Sequence, residues 1–268
     1  MEKYLIALDM DGTLLNKNHV IDEETKQYLK KLNNEGHIIV IASGRPIRGI
    51  KQVYDELELT TPAICYNGAY IFKGQEDNFP EYCFAFPQEI IKQIITDIGY
   101  EYLDNVILET NEDIYFLHND DTLDTFFSKN GMCVHLGDIR KTLNEDPMTM
   151  LLKVKEEKYN PHIEEVISKY ENIKLRFWSG RWIEISEIYF DDINKGKALR
   201  KIAEYYNISP SNIIAFGDAT NDIEMIEFAQ YGVAMTNAEE EVKNVAKIIS
   251  ENDNHNQGVI KELAKIIK

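Results

Sequence analysis

The hydrophobic positions of the chain alternate between short unbroken runs and segments with helical periodicity. Residues 4–8 and 38–42 are apolar runs with no polar alternation, which is typical of strands buried on both faces of a parallel sheet. Between them, Asp22 suits the first position of a helix with one apolar face, and Gly36 suits its end. The pattern therefore predicts a β–α–β beginning.

The same alternation continues along the first third and returns at the end of the chain. We expect helices at 47–59, 196–207 and 221–229, strands at 63–66, 213–216 and 231–234, and two further terminal helices. Strands that alternate with helices indicate βαβ units. The predicted fold class is α/β: a doubly wound, mostly parallel sheet core with helices on both faces.

The middle of the chain has a different pattern, which predicts an inserted α+β cap domain with an antiparallel sheet. The expected strands are 114–117, 150–154, 175–178 and 182–185, and the expected helices lie near 88–98, 120–129 and 160–170. Ser179-Gly180-Arg181 suits the turn of a hairpin between the last two strands. We therefore predict a Rossmann-like catalytic core from residues 1–81 and 189–268, with the cap at 82–188.

The charge balance excludes several classes of partner. The chain has 46 acidic and 29 basic residues and a net charge of −17, so we expect no nucleic acid polymer and no anionic membrane as partner.

No apolar run approaches the ~20 residues that span a bilayer. Nothing marks an exposed apolar face, which favours a monomer. A phosphate ligand would need a locally positive site, because the protein as a whole repels it.

The cysteines and the first residues bear on the compartment. Cys65, Cys83 and Cys133 are odd in number and far apart, which fits neither a disulfide framework nor paired metal ligands. The apolar run 4–8 meets Asp9 at once and is too short and too acidic for a signal peptide. A cytoplasmic location is therefore expected.

Acidic residues follow two of the predicted strands. Asp9 and Asp11 come directly after the first strand, and Asp218 and Asp222 follow the strand at 213–216. Ligands of open α/β sheets bind beyond the carboxyl ends of strands, and clustered carboxylates there suit Mg²⁺. The alternatives are an acidic turn that ends the first strand, and helix capping by Asp218 or Asn221.

Two further segments offer groups that bind anions. Lys195 lies at the start of a predicted helix, with Lys197 as a rival for the same role. Ser43-Gly44-Arg45 follows the strand at 38–42, where a hydroxyl group and the amides of a helix start can hold phosphate. The alternative for Ser43 is an N-cap, and Lys195 could equally be an ordinary surface lysine.

Together these segments resemble the four motifs of the haloacid dehalogenase-like hydrolase superfamily, most closely its Cof-type phosphatases. Asp9-Met10-Asp11-Gly12-Thr13 matches the DxDGT loop, and the resemblance extends through Tyr66-Asn67-Gly68-Ala69, Asn194-Lys195-Gly196 and Gly217-Asp218 with Asn221-Asp222. It covers residues 4 to about 258. The cap is similar in size and position only.

The resemblance implies a mechanism and its residues. Asp9 would be the nucleophile that forms an aspartyl-phosphate, and Asp11 would be the general acid and then the base. Ser43 would hold a phosphoryl oxygen, and Lys195 would balance charge. The metal would be Mg²⁺, held by Asp9, the backbone carbonyl of Asp11 and Asp218, with Asp222 close by; the implied substrate contacts are Gly44, Arg45, Asn67 and Asn221. Arg45 could instead pair with a neighbouring carboxylate.

The expected function is a Mg²⁺-dependent phosphatase for small phosphate monoesters such as sugar phosphates, nucleotides or phosphorylated cofactors. Dehalogenation and phosphonate cleavage are disfavoured, because those branches of the superfamily are not expected to keep an aspartate at the position of Asp11. A sugar phosphomutase would use the same Asp9 and Asp11. A non-catalytic module that binds a phosphorylated metabolite is the third alternative.

Overall fold

A computed structural model of the chain describes residues 2–124, 129, 131–179 and 184–267. These residues form two compact units. The first is Met1–Tyr82 together with Asn194–Lys268, and the second is Cys83–Ile193. Each unit has a sheet and a hydrophobic core of its own.

The strands and helices alternate along most of the chain. In chain order, the strands are β1 Leu5–Leu8, β2 Ile38–Ile41, β3 Ala63–Cys65, β4 Tyr70–Phe72, β5 Leu103–Glu109, β6 Asp113–Phe116, β7 Cys133–Leu136, β8 Thr149–Val154, β9 Ile173–Ser179, β10 Glu184–Phe190, β11 Ile213–Gly217, β12 Tyr231–Ala234 and β13 Ile248–Ile249. The helices are α1 Glu23–Asn34, α2 Ile47–Glu56, α3 Gln88–Ile98, α4 Asp121–Asp124, α5 Ile139–Thr142, α6 Asn160–Ile167, α7 Lys195–Tyr206, α8 Ile223–Phe228, α9 Glu240–Val245 and α10 Gly258–Ile266. The predicted α/β fold class is confirmed.

The first unit is built on a parallel sheet in the order β13-β12-β11-β1-β2. Leu5 on β1 is opposite Ile213 on one side and Ile38 on the other. Leu5 and Ala7 pack with α7 and α8 on one face, and α1 contacts β2 and α10. Because the central strands are covered on both faces, they consist of unbroken apolar runs, as the sequence pattern indicated.

The parallel order brings the carboxyl ends of β1, β2 and β11 to the same edge of the sheet. A parallel bridge between Ala42 and Ile64 brings the end of β3 to this edge as well, and the Ser43 amide donates to the Ile64 carbonyl at 2.9 Å. The loops that follow these strands are therefore neighbours.

The second unit contains a sheet in the order β7-β6-β5-β8-β10-β9. Its pairs are antiparallel except for β6 and β7. Isoleucines of α3 and α6 pack against one face of this sheet. The two hairpin strands are confirmed as β9 and β10. Ser179, predicted as the first turn residue, is instead the last residue of β9. The rest of the predicted turn and the start of the predicted second strand fall on residues 180–183, outside the described residues.

Two helical predictions change in detail. The pattern at 221–229 forms a 3₁₀ turn, Thr220–Asp222, before α8 begins. The helix predicted from residue 196 begins at Lys195, because the Asn194 side chain accepts a hydrogen bond from the Lys197 amide at 2.8 Å. Of the helix expected near 120–129, the structure describes α4, and residues 125–128 lie outside the described residues.

Two further observations concern the cysteines and the helices. No disulfide joins Cys65, Cys83 and Cys133, and burial raises the pKa of Cys65 to about 12. Within the ranges that the structure describes, none of the helices is long and apolar enough to cross a bilayer.

A buried histidine at the amino-terminal end of the sheet predicts how stability depends on pH. His37 is 3% exposed, and its Nδ1 accepts a hydrogen bond from the Tyr4 amide at 3.1 Å. Burial lowers its pKa below 6.5. In the pH range just below 6.5 the unfolded chain therefore binds more protons, and folded stability is lost as pH falls. The loss from this group is at most about 1.4 kcal/mol per pH unit.

Thermal melting from pH 7.5 to 5.5 checks this expectation. In a His37→Asn variant, the amide oxygen can still accept from the Tyr4 amide but the side chain no longer titrates. We expect the wild type to lose more stability than this variant as pH falls. Equal losses in the two proteins would contradict it.

Candidate active site

The first loop of the site, residues 9–13, follows directly after β1. The Asp9 amide donates to the Phe216 carbonyl at 3.1 Å, which continues the pairing of β1 with β11. Gly12 has a φ of +87°, and a Cβ built on it would lie 2.1 Å from Asp218 Oδ2. Glycine at this position thus allows the loop to approach Asp218. Thr13 completes the contact by donating from Oγ1 to Asp218 Oδ1 at 2.8 Å.

A buried ion-pair cluster connects three of the predicted residues. Lys195 Nζ donates to Asp9 Oδ1 at 2.6 Å and to Asp222 Oδ1 at 2.7 Å, and the lysine is 0% exposed. Burial alone would lower the pKa of Lys195, but Asp222 and Asp9 outweigh burial and raise it. Lys197, the rival in the sequence, is an exposed residue of α7.

The cluster carries more negative than positive charge. Ligand atoms of Asp9, Asp218 and Asp222 lie within 4.8 Å of one another. Burial raises the pKa of Asp9 well above its ordinary value, with Asp222 and Asp218 adding to the effect and Lys195 opposing it. Burial, followed by repulsion from Asp222, raises the pKa of Asp218 to about 7. Carboxylate oxygens held this close together are suitable ligand atoms for a hard divalent cation.

Asp222 is held by hydrogen bonds on both of its oxygens. While Oδ1 accepts from Lys195, Oδ2 accepts from the amides of Asp218 and Ala219 at 2.9 and 3.1 Å. A Cβ on Gly217 would lie 2.4 Å from the Cβ of Asp222. Asp222 therefore fixes both the lysine and the turn that carries Asp218.

Ser43 lies at the end of β2 and is 2% exposed. Its Oγ accepts from the Arg45 amide at 3.1 Å, which leaves the hydroxyl proton for another acceptor. The N-cap of α2 is Pro46, so Ser43 does not cap that helix.

The Arg45 side chain reaches the carboxylate of Asp11. Arg45 Nε donates to Asp11 Oδ2 at 2.7 Å, and Nη2 donates to Oδ1 at 2.5 Å. This is the pairing with a neighbouring carboxylate that the sequence left open as an alternative to substrate contact. A two-point arginine–carboxylate contact fixes orientation as well as charge.

The remaining predicted residues form a second small group at this edge. Asn221 Nδ2 donates to Asn67 Oδ1 at 2.8 Å, and a Cβ on Gly44 would lie 2.9 Å from the same oxygen. Asn67 has a φ of +53°, a left-handed conformation that asparagine tolerates. Asn221 Oδ1 is buried, and among the described residues it has no hydrogen-bond partner.

Two residues that contribute to this edge were not predicted from the sequence. Asn237 Nδ2 donates to the Gly12 carbonyl at 2.8 Å, and the Glu239 amide donates to the Asp218 carbonyl at 2.9 Å. Both residues follow β12, a predicted strand parallel to β11. The rule that strand ends meet at one edge, applied to this strand as well, would have indicated them.

Comparison with known proteins relates the whole chain to one group of enzymes. A family model described as haloacid dehalogenase-like hydrolase matches residues 6–263. The chain is 40% identical over 246 residues to the 5-amino-6-(5-phospho-D-ribitylamino)uracil phosphatase YitU of Bacillus subtilis, covering 91% of this chain and 90% of that protein. It is 28% identical over 269 residues to the pyridoxal phosphate phosphatase YbhA of Escherichia coli, covering 93% of each. A solved haloacid dehalogenase-like hydrolase from Bacteroides thetaiotaomicron has a TM-score of 0.82 and 26% identity, covering 99% of this chain and 100% of that chain.

Proposed function

Since the chain belongs to the haloacid dehalogenase-like hydrolases and is a phosphatase of that family, we propose that it hydrolyses small phosphate monoesters through an aspartyl-phosphate on Asp9, with Mg²⁺ as cofactor. The observation that carries this proposal is the buried contact of Asp9 with Lys195, next to Asp218. It combines a carboxylate nucleophile, a fixed positive charge and a cluster of oxygen ligands at one edge of the sheet.

In the first half-reaction, an Asp9 carboxylate oxygen attacks phosphorus and the bond from phosphorus to the leaving oxygen breaks. Asp11 gives its proton to that oxygen, so that the product leaves as an alcohol. Lys195 stabilises negative charge on Asp9 and on the phosphoryl group. The Ser43 hydroxyl group donates a hydrogen bond to a phosphoryl oxygen.

In the second half-reaction, water attacks the phosphorus of the aspartyl-phosphate. Asp11, now a carboxylate, takes the proton of the water. The bond between phosphorus and the Asp9 oxygen breaks, and Asp9 returns to a carboxylate paired with Lys195. Phosphate leaves, and the residues are ready for another cycle.

The residues that would hold the cation are Asp9, the backbone carbonyl of Asp11 and Asp218. Asp222 supports them, because both of its oxygens already accept hydrogen bonds. A bound Mg²⁺ supplies positive charge that neutralises the carboxylates and the phosphoryl oxygens. The crowded carboxylates and the raised pKa of Asp218 support this assignment, because a cation relieves their repulsion.

The relatives suggest which esters to test first. YitU acts on 5-amino-6-(5-phospho-D-ribitylamino)uracil and YbhA on pyridoxal phosphate, by their names. Both compounds join a phosphorylated primary alcohol to a planar nitrogen heterocycle. We propose a substrate of this kind, with simple sugar phosphates as the comparison.

A location in the cytoplasm is part of the proposal. The chain has three cysteines, Cys65, Cys83 and Cys133, which lie far apart in the sequence. Few and widely spaced cysteines are typical of a reducing compartment.

Release of inorganic phosphate from a panel of esters tests the proposed activity. We expect release in Mg²⁺, loss of at least about 10²-fold after removal of the metal with EDTA, and recovery when Mg²⁺ is returned. Mg²⁺ should also raise the melting temperature of the free protein by mass action. Unchanged release in EDTA would contradict a role for the metal. Isomerisation of a sugar phosphate without release would favour the phosphomutase alternative.

A further inference from the structure

We infer that Arg45 is a positioning residue, which holds Asp11 in the geometry needed to activate water in the second half-reaction. This inference rests on the proposed function, because it assigns a task to the acid–base residue of that reaction. It takes up the alternative from the sequence, in which Arg45 pairs with a neighbouring carboxylate.

The contact between the two side chains is bidentate. Both oxygens of Asp11 accept N–H groups of Arg45, at 2.5 and 2.7 Å. A carboxylate that accepts hydrogen bonds on both oxygens from one guanidinium is held in a defined orientation. Asp11 needs a defined orientation to take the proton of the attacking water.

Arg45 is itself held by contacts with the end of β2, the segment after β3 and the first turn of α2. Its backbone amide donates to Ser43 Oγ at 3.1 Å, and its carbonyl accepts from the Tyr66 amide at 3.2 Å. Its Nη1 donates to the Gly49 carbonyl at 3.4 Å. The planar, forked guanidinium, attached to this backbone, orients the Asp11 carboxylate.

The absence of a side chain at Gly49 is part of this arrangement. A Cβ on Gly49 would lie 3.1 Å from the Cβ of Arg45 and 3.5 Å from its Cδ. The arginine therefore crosses the first turn of α2 directly above this glycine. A methyl group there would shift the Arg45 side chain by a few tenths of an ångström while leaving every charge in place.

The step that Arg45 serves is the hydrolysis of the aspartyl-phosphate. Water forms a bond to phosphorus, its proton goes to Asp11, and the electron pair of the broken bond to phosphorus returns to Asp9. If Arg45 positions Asp11 for this step, replacement of Arg45 slows hydrolysis of the phosphoenzyme. Formation of the phosphoenzyme from an ester whose leaving group needs no proton should change little.

The test measures p-nitrophenyl phosphate turnover in the stopped flow, with Mg²⁺, for the wild type, Arg45→Lys and Gly49→Ala. In Arg45→Lys we expect kcat to fall about 10- to 100-fold, KM to fall with it, and kcat/KM to stay within about 3-fold. A burst of about one nitrophenolate per enzyme should precede slow turnover. Gly49→Ala should also lower kcat, by a smaller factor. Alanine has a higher helix propensity than glycine, which offsets part of the cost of the close contact with Arg45.

A matched control is Lys51→Ala, which removes a positive charge from the same helix, where Lys51 pairs with Asp55. It should behave as the wild type. If kcat/KM of Arg45→Lys falls as much as kcat, without a burst, Arg45 acts in substrate binding or phosphoryl transfer and the inference is wrong. Wild-type protein that releases neither nitrophenolate nor phosphate overturns the proposed function together with this inference.

Discussion

Replacing Asp9 by asparagine is expected to lower phosphate release by at least about 10⁴-fold, because an amide cannot form the aspartyl-phosphate. Every other group of the cluster stays in place in this variant. Lys195 can still donate to the amide oxygen in the place of Asp9 Oδ1. The loss should therefore appear in turnover rather than in folding.

The stability of the same variant is expected to be unchanged or higher in the absence of metal. Burial and the neighbouring Asp222 and Asp218 raise the pKa of Asp9, against the opposing effect of Lys195, and so disfavour its charged form. Removing that charge relieves repulsion in the cluster. Urea unfolding in EDTA measures the effect, with phosphate release in Mg²⁺ assayed beside it. A variant that is unfolded, or one that retains substantial activity, would contradict the account.

Replacing Lys195 by methionine is expected to impair both activity and folding. The lysine is fully buried between two carboxylates. A methionine of similar length would leave these carboxylates without their cation. Breaking a buried ion pair in this way costs about 3–5 kcal/mol of unfolding free energy. Loss of the charge at the reacting carboxylate is expected to lower kcat by about 10²–10³-fold.

Two comparisons separate these effects from a general defect. Lys197→Met changes an exposed lysine two residues later on α7 and should stay within about 0.5 kcal/mol of the wild type. The double variant Asp9→Asn with Lys195→Met lacks one of the two carboxylates that Lys195→Met leaves without a cation. Its loss of unfolding free energy should therefore be smaller than the sum of the losses in the two single variants. Additive losses would show that Lys195 does not act through Asp9.

The positions of the site loops could be predicted because the central strands have a simple pattern. β1, β2 and β11 lie between layers of helices, so their apolar runs are continuous and end where Asp9, Ser43 and Asp218 begin. The rule for parallel strands then places these loops at one edge.

Which side chains pair with each other within those loops could not be predicted from the sequence. Whether Arg45 contacts substrate or Asp11 depends on how α2 starts relative to the first loop, which no periodicity encodes. The backbone bonds of Asp222 likewise depend on the 3₁₀ turn at Thr220–Asp222, where the sequence predicted a regular helix.

In the second unit, β5 was missed although it lies near the centre of its sheet. Asn105 and Glu109 are buried on this strand and interrupt its apolar pattern. Asn105 is tolerated because its side chain accepts from the amides of Val106 and Leu117 and donates to the His118 carbonyl. Such compensation by hydrogen bonds follows from the tertiary structure and has no signature in the sequence.

The central claim is that Asp9 carries the phosphoryl group, and locating that group in the wild type tests it most directly. The enzyme is mixed with p-nitrophenyl phosphate and Mg²⁺, quenched in acid within one turnover, digested and analysed by mass spectrometry. The account predicts one phosphoryl group on Asp9, lost in the Asp9→Asn variant. Steady phosphate release with no phosphorylated peptide, or with the phosphoryl group on Ser43 or Asp11, would contradict it.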